Sequence, residues 1–181
     1  MSTSPIRRRT AAMLSAFGLS IAALASSSSA VGAGLVKNDG AVYTIPALAP
    51  VDGASVDARV TAGGANLSIR TRGLTAGNAY TLWSISFSNP QACTNGMDGR
   101  MCGPGDDGPG PQGFGINYVG GHMVGASGHL TISGQVTIPN AGGAEYHLVV
   151  ADHGVKDPSL LPGQIRTPGP GVQVGFLVPS P

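Results

Sequence analysis

Residues 129–138 read HLTISGQVTI. Leu130, Ile132, Val136 and Ile138 share one parity, and His129, Thr131, Ser133, Gln135 and Thr137 share the other. Successive side chains of an extended chain point to opposite faces, so this run has a dry face and a wet face and predicts a half-buried strand. Working back along the chain, residues 66–72 (NLSIRTR) repeat the pattern, with Leu67, Ile69 and Thr71 set against Asn66, Ser68, Arg70 and Arg72. Residues 79–87 (AYTLWSISF) put Trp83, Ile85 and Phe87 on one face, and the GLTAG run at 73–77 supplies turn chemistry, so the two segments predict a hairpin-like unit. Further strands are expected at 41–46, 55–60, 114–124, 144–151 and 172–178, about eight in all. Turn signals at Asn140–Gly143 and across the Gly/Pro cluster from Pro158 to Gly171 separate them.

Many short strands, frequent turns and no 3.6-residue period predict an all-β fold, an antiparallel two-sheet sandwich, with a partly open β-barrel as the alternative. Trp83, the only tryptophan, is the expected core anchor. The 29 glycines and 14 prolines are about 24% of the 181 residues against an ordinary share of roughly 12%, which argues against long helices. The segment from Asn89 to Gly115 is too rich in Gly, Pro and Asp for a strand and reads as a long surface loop.

The first 30 residues have the outline of a signal peptide. Arg7, Arg8 and Arg9 form a basic start, an apolar run follows from Ala11 to Ala25, and small residues at Ser28 and Ala30 suit a signal peptidase. The run is about 15 residues, short of the roughly 20 needed to cross a bilayer, so cleavage is expected rather than anchoring. Residues 31–40 form a flexible lead-in, and 41–181 a single β-sandwich domain with no membrane span. Without the three arginines of the leader, seven basic side chains face nine acidic ones, a net charge of −2. Nothing in that balance releases counterions from a phosphate backbone, so no nucleic-acid partner is expected. The predicted location is secreted: periplasmic or extracellular.

Cys93 and Cys102 are the two cysteines, and in an oxidising compartment an even pair reads as one disulfide. Their spacing matches no paired C-x-x-C zinc pattern.

The runs GLTAGNAYTLWSISFSNPQAC, a second cysteine followed by GPGD, GHMVGASGHLTISGQV, AEYHLVVADHG and PGQIRT carry a resemblance that covers about residues 55–178. They resemble a family of exported bacterial proteins of uncharacterised function. The resemblance implies a single β-sandwich domain and no particular activity. The family pattern carries a further cysteine pair after the segment matching Gln164–Thr167, where this chain has PGPGVQVGFLVP. The chain is also distantly similar to chordin-type repeat domains, without their H-I-H signature.

Histidines stand at 122, 129, 147 and 153. Imidazoles of His122, His147 and His153, with Glu145 and Asp152 in support, are the residue types that would hold a transition metal such as copper or zinc. Yet His147 and His153 lie about 20 Å apart along a straight strand, so they can share an ion only if the chain bends. The alternative role is structural, with histidines capping strand ends. Asp98, Asp106 and Asp107 suggest a calcium loop, but they match no calcium-loop spacing. Ser127, in GASG, lacks the G-x-S-x-G elbow and reads as a turn residue. The expectation is a secreted, non-catalytic β-sandwich with a binding or structural role toward an extracellular or envelope ligand and no cofactor. The alternative is a metal-binding or metalloenzyme domain using the histidine cluster.

Overall fold

Strands with one apolar face need a second apolar layer to cover it. In the computed structural model, which describes residues 35–36, 40–96, 99–159 and 163–179, that layer is a second sheet. The nine strands among the described residues are β1 (Leu35–Val36), β2 (Val42–Thr44), β3 (Ser55–Thr61), β4 (Gly64–Thr71), β5 (Asn78–Phe87), β6 (Phe114–Met123), β7 (Leu130–Val136), β8 (Glu145–Val155) and β9 (Gly171–Leu177). They form an antiparallel sandwich with sheet orders β1-β3-β4-β7 and β2-β9-β8-β5-β6, not closed into a barrel. The expected leader, residues 1–30, lies outside the described residues. Two residues of the expected lead-in, Leu35 and Val36, pair with Arg59 and Ala58 of β3. Among the described residues no helix is long and apolar enough to cross a membrane.

The alternation read from the sequence sets the interior of the four-stranded sheet. Val56, Ala58 and Val60 of β3, Leu67 and Ile69 of β4, and Leu130, Ile132 and Val136 of β7 are all buried in one cluster. Tyr80 and Leu82 of β5, Tyr146, Leu148 and Val150 of β8, and Leu177 of β9 meet them from the other sheet. Each of the Val, Leu and Ile side chains among them stabilises the fold by about 1.5–3 kcal/mol on burial. A buried polar tie joins the layers: Thr71 Oγ1 donates to Gln173 Oε1 at 2.6 Å, and Gln173 Nε2 donates to Arg72 O at 2.9 Å.

Two expectations are corrected. Segments 66–72 and 79–87 do not form a hairpin. Both sides of β4 are taken by β3 and β7, so the chain leaves this sheet after Thr71 and enters the other at Asn78. Gly73 and Gly77, at φ 77° and 84°, make this crossing, and Leu74, buried between them, bonds through its N–H to Gly128 O.

Trp83 is not the core anchor either. Tyr80 and Leu82 face the interior, so Trp83, with the opposite parity, lies half-buried on the outer face. β5 sits between β8 and β6, and its inner face carries buried Ser84 and Ser86 beside Tyr80 and Leu82, so alternation over residues 83–87 points to the wrong face.

Beyond the sheets, a close approach seals one side of the sandwich. A Cβ on Gly134 of β7 would lie 2.1 Å from Val119 O of β6, so the absence of a side chain there lets the edges of the two sheets touch.

Candidate functional site

The outer face of the five-stranded sheet is apolar where an antiparallel sandwich commonly faces water with polar groups. Register places Trp83 beside Tyr118 and Val149, Ile85 beside Ile116 and His147, and Phe87 beside Phe114 and Glu145. Phe176 and Val174 of β9 continue the rows from His147 and Val149. Trp83 and Tyr118 meet edge to face at 5.5 Å.

Part of this face is covered by the loop between β5 and β6, and its covering is built from carboxylates. Cys93 and Cys102 are joined, with S–S 2.00 Å and Cα atoms 5.1 Å apart. Inside the loop, Asp106 accepts N–H bonds from Thr94 (3.0 Å), Asn95 (3.1 Å) and Gly103 (3.0 Å), and an amide bond from Asn95 Nδ2 at 2.9 Å. These donors, the Thr94 N–H foremost, hold its carboxyl far below the usual carboxylate range against the opposing effect of burial.

The loop is fastened to the sheet by Glu145, the first residue of β8 and fully buried. Glu145 Oε2 accepts the Met101 N–H at 2.9 Å and Oε1 accepts the Cys102 N–H at 3.2 Å. His147 Nε2 lies 2.7 Å from the same Oε1. A carboxylate only accepts, so Nε2 carries the proton. The His147 ring is held edge-on by Phe87 and Phe176, with centroids 5.3 and 4.9 Å away. Glu145 and His147 are two apart on one strand face, and that E-x-H spacing is the signal in the sequence that marks the pair.

Beside this fastening lies a recess of about 230 Å³. Its floor is Ile85, His147, Val149, Val174 and Phe176 of the sheet. One wall is Ile45 and Leu48 of the turn after β2, and the other is Arg100, Cys102, Gly103, Pro104 and Asp107 of the disulfide loop. The Arg100 guanidinium carbon stands 4.0 Å over the Phe176 ring. Burial pushes the Asp107 carboxyl up; the nearby His147 pulls it down and Asp106 adds to the rise. The recess thus combines apolar walls with a few polar groups at one end, the usual make-up of a small-molecule site.

The other histidines and acids named from sequence are placed separately. His153 shares the outer face with His147, as parity predicts, but its Nε2 lies 2.7 Å from Thr81 Oγ1, which also accepts the Trp83 indole N–H at 2.8 Å. Burial lowers the His153 pKa, with Asp152 opposing. Asp152 accepts both bonds from Asn78 Nδ2 (3.0 and 3.1 Å) and the Gly154 N–H at 2.8 Å, which ties the irregular end of β8 to the start of β5. His122 is exposed on β6, opposite Tyr80 in register, and lines a separate surface hollow with Lys156 and Ile165. His129 is exposed before β7. Among the described residues, one group of three possible donors lies within 4.8 Å: Cys93, Cys102 and Asp106. Its sulfurs are bonded to each other and its carboxylate is filled with N–H bonds, so it does not suit an ion. Of the loop acids weighed against a calcium-loop spacing, Asp98 lies outside the described residues, while Asp106 and Asp107 serve the loop and the recess respectively.

Neither the models of known protein families nor the curated proteins contain a match to this chain.

Proposed function

We propose that this chain is an exported, non-catalytic binding domain whose ligand sits in the recess between the disulfide loop and the turn after β2. The observation that carries the reading is the recess itself: a mostly apolar floor on a sheet face that includes His147, walled by a stapled loop that brings Arg100 and Asp107 to it. Along the loop wall the ionisable side chains are of opposite sign, Arg100 and Asp107, so that wall favours neither an anion nor a cation. His147 Nε2 is engaged by Glu145, which leaves Nδ1 as the ring atom able to receive a hydroxyl or N–H proton. The class of ligand is therefore a small, neutral, mostly apolar molecule with one hydrogen-bond donor. Binding is favoured over catalysis because Glu145 and Asp106 are both committed to loop N–H groups and both cysteines to their disulfide.

The test is a fluorescence titration with 2-naphthol on the wild type and on Val149→Phe, which fills the floor. Saturable binding with a dissociation constant between about 10 μM and 1 mM is expected, weakened at least tenfold in the variant. An absence of saturation, or equal binding by Val149→Phe, refutes the reading.

A further inference from the structure

A sandwich of two open sheets has four edges, and each exposes a row of backbone groups able to pair with another strand. Three of them here are short, covered or polar. β1 is two residues long. β2 is three residues long, and the segment after it folds back along its free side, with Val51 N–H donating to Val42 O and a bridge between Tyr43 and Pro50. β7 carries exposed Thr131, Ser133 and Gln135 on its outer face.

The fourth edge is different. β6 reads FGINYVGGHM, ten residues without Asp, Glu, Lys, Arg or Pro, and it is the last strand in its sheet. Ile116 and Tyr118 are 54% and 39% exposed. At Val119 and Gly120 the strand touches β7, but toward its start a cleft of about 320 Å³ separates Gly113–Asn117 from Thr137–Pro139. The open length of the edge is therefore residues 114–118.

This pentapeptide, FGINY, is self-complementary. We propose that it pairs antiparallel with the same segment of a second copy of the chain, about a two-fold axis through Ile116, to give a continuous ten-stranded sheet. In that register Phe114 of one copy lies beside Tyr118 of the other, Ile116 lies beside its own counterpart, and Asn117 lies beside Gly115, where no side chain crowds its amide. Within each copy Trp83 already pairs with Tyr118, and Phe87 with Phe114. Joining the edges makes one aromatic row across the seam, in the order Trp83, Tyr118, Phe114, Phe87. No charge is brought against a like charge, because the segment has none.

The experiment is sedimentation velocity on the purified protein with Ile116→Lys, Ile116→Glu and the control Thr131→Lys, folding being checked by circular dichroism. Wild type and the control are expected to dimerise at concentrations below about 100 μM. Each Ile116 variant places a like-charged pair on the axis and weakens self-association by about tenfold or more. An equimolar mixture of the Lys and Glu variants regains the dimer, since position 116 then faces an opposite charge. That recovery also serves as proof that both variants fold. A monomeric wild type, a dimer insensitive to Ile116→Lys, or a mixture that stays monomeric each overturns the proposal; the last outcome would hold even if the edge takes up some other peptide strand.

Discussion

Replacing Glu145 tests how the disulfide loop is held. Its carboxylate is fully buried and receives three donors on two oxygens: the Cys102 N–H and His147 Nε2 on Oε1, and the Met101 N–H on Oε2. In Glu145→Ala all three lose their acceptor. Cys102 is fully buried, so its N–H has no water to turn to, whereas Met101 is only half-buried. A buried donor left unsatisfied costs about 1–3 kcal/mol, and both the Cys102 N–H and the His147 Nε2–H are left so, which makes the expected loss about 3–5 kcal/mol. Glu145→Gln keeps one carbonyl oxygen. Placed at the Oε1 position it retains two donors and turns its NH₂ toward Met101, whose exposure lets water help, so about 1–2 kcal/mol is expected. Urea unfolding followed by circular dichroism gives both numbers, and amide exchange at Met101 and Cys102 separates release of the loop from unfolding of the sandwich. A cost below about 1 kcal/mol for Glu145→Ala, or equal costs for Ala and Gln, would refute the argument that the carboxylate fastens the loop.

Gly134→Ala drives a Cβ against Val119 O and should cost about 2–3 kcal/mol, whereas Gly125→Ala, with nothing within 4 Å of its added carbon, should be near neutral; equal unfolding midpoints would contradict the close approach of the two sheet edges. Burial holds the His153 pKa below its ordinary value of 6.5, so the unfolded chain takes up the proton first as pH falls. The stability His153 contributes is therefore full above pH 6.5 and declines below it. Because Thr81 links His153 to the Trp83 indole, emission from Trp83 should change in the same range, and a midpoint above pH 6.5 would count against it. Protein purified without an affinity tag is expected to hold no stoichiometric copper or zinc by elemental analysis, because His147 and His153 are already bonded to Glu145 and Thr81; one equivalent of tightly held metal would reverse that reading.

The strands themselves were legible in the sequence, because a strand with one wet face announces itself by alternation. β7 and β4 are such strands, and their inward residues are those the parity named. Pairing was not legible. Whether the GLTAG link turns back along β4 or crosses to the other layer depends on which edges of β4 are free, and after β3 takes one edge the other is taken by Ile132 and its strand, more than 60 positions on from Ile69. The inward face of β5 was hidden because Trp83, Ile85 and Phe87 look as apolar as Tyr80 and Leu82; what distinguishes them is a loop that covers part of the outer face. Among the candidate residues, the E-x-H pair at 145 and 147 was visible as spacing, but its role was not, since the two partner N–H groups belong to residues 101 and 102 and carry no side-chain signature.

The pairing of β2 with β9 has a bearing on how the molecule is made. Val42, Tyr43 and Thr44 join the five-stranded sheet through Gly175, Val174 and Gln173, some 130 positions downstream. A chain emerging start-first from a ribosome or a translocation pore cannot zip this seam until its last strand is through, and such distant contacts form slowly. Until then the inner faces of β5 and β8 have an incomplete lid, so a nascent polypeptide of this kind depends on a holding factor, or on rapid threading, to keep its apolar strands from meeting those of a neighbour.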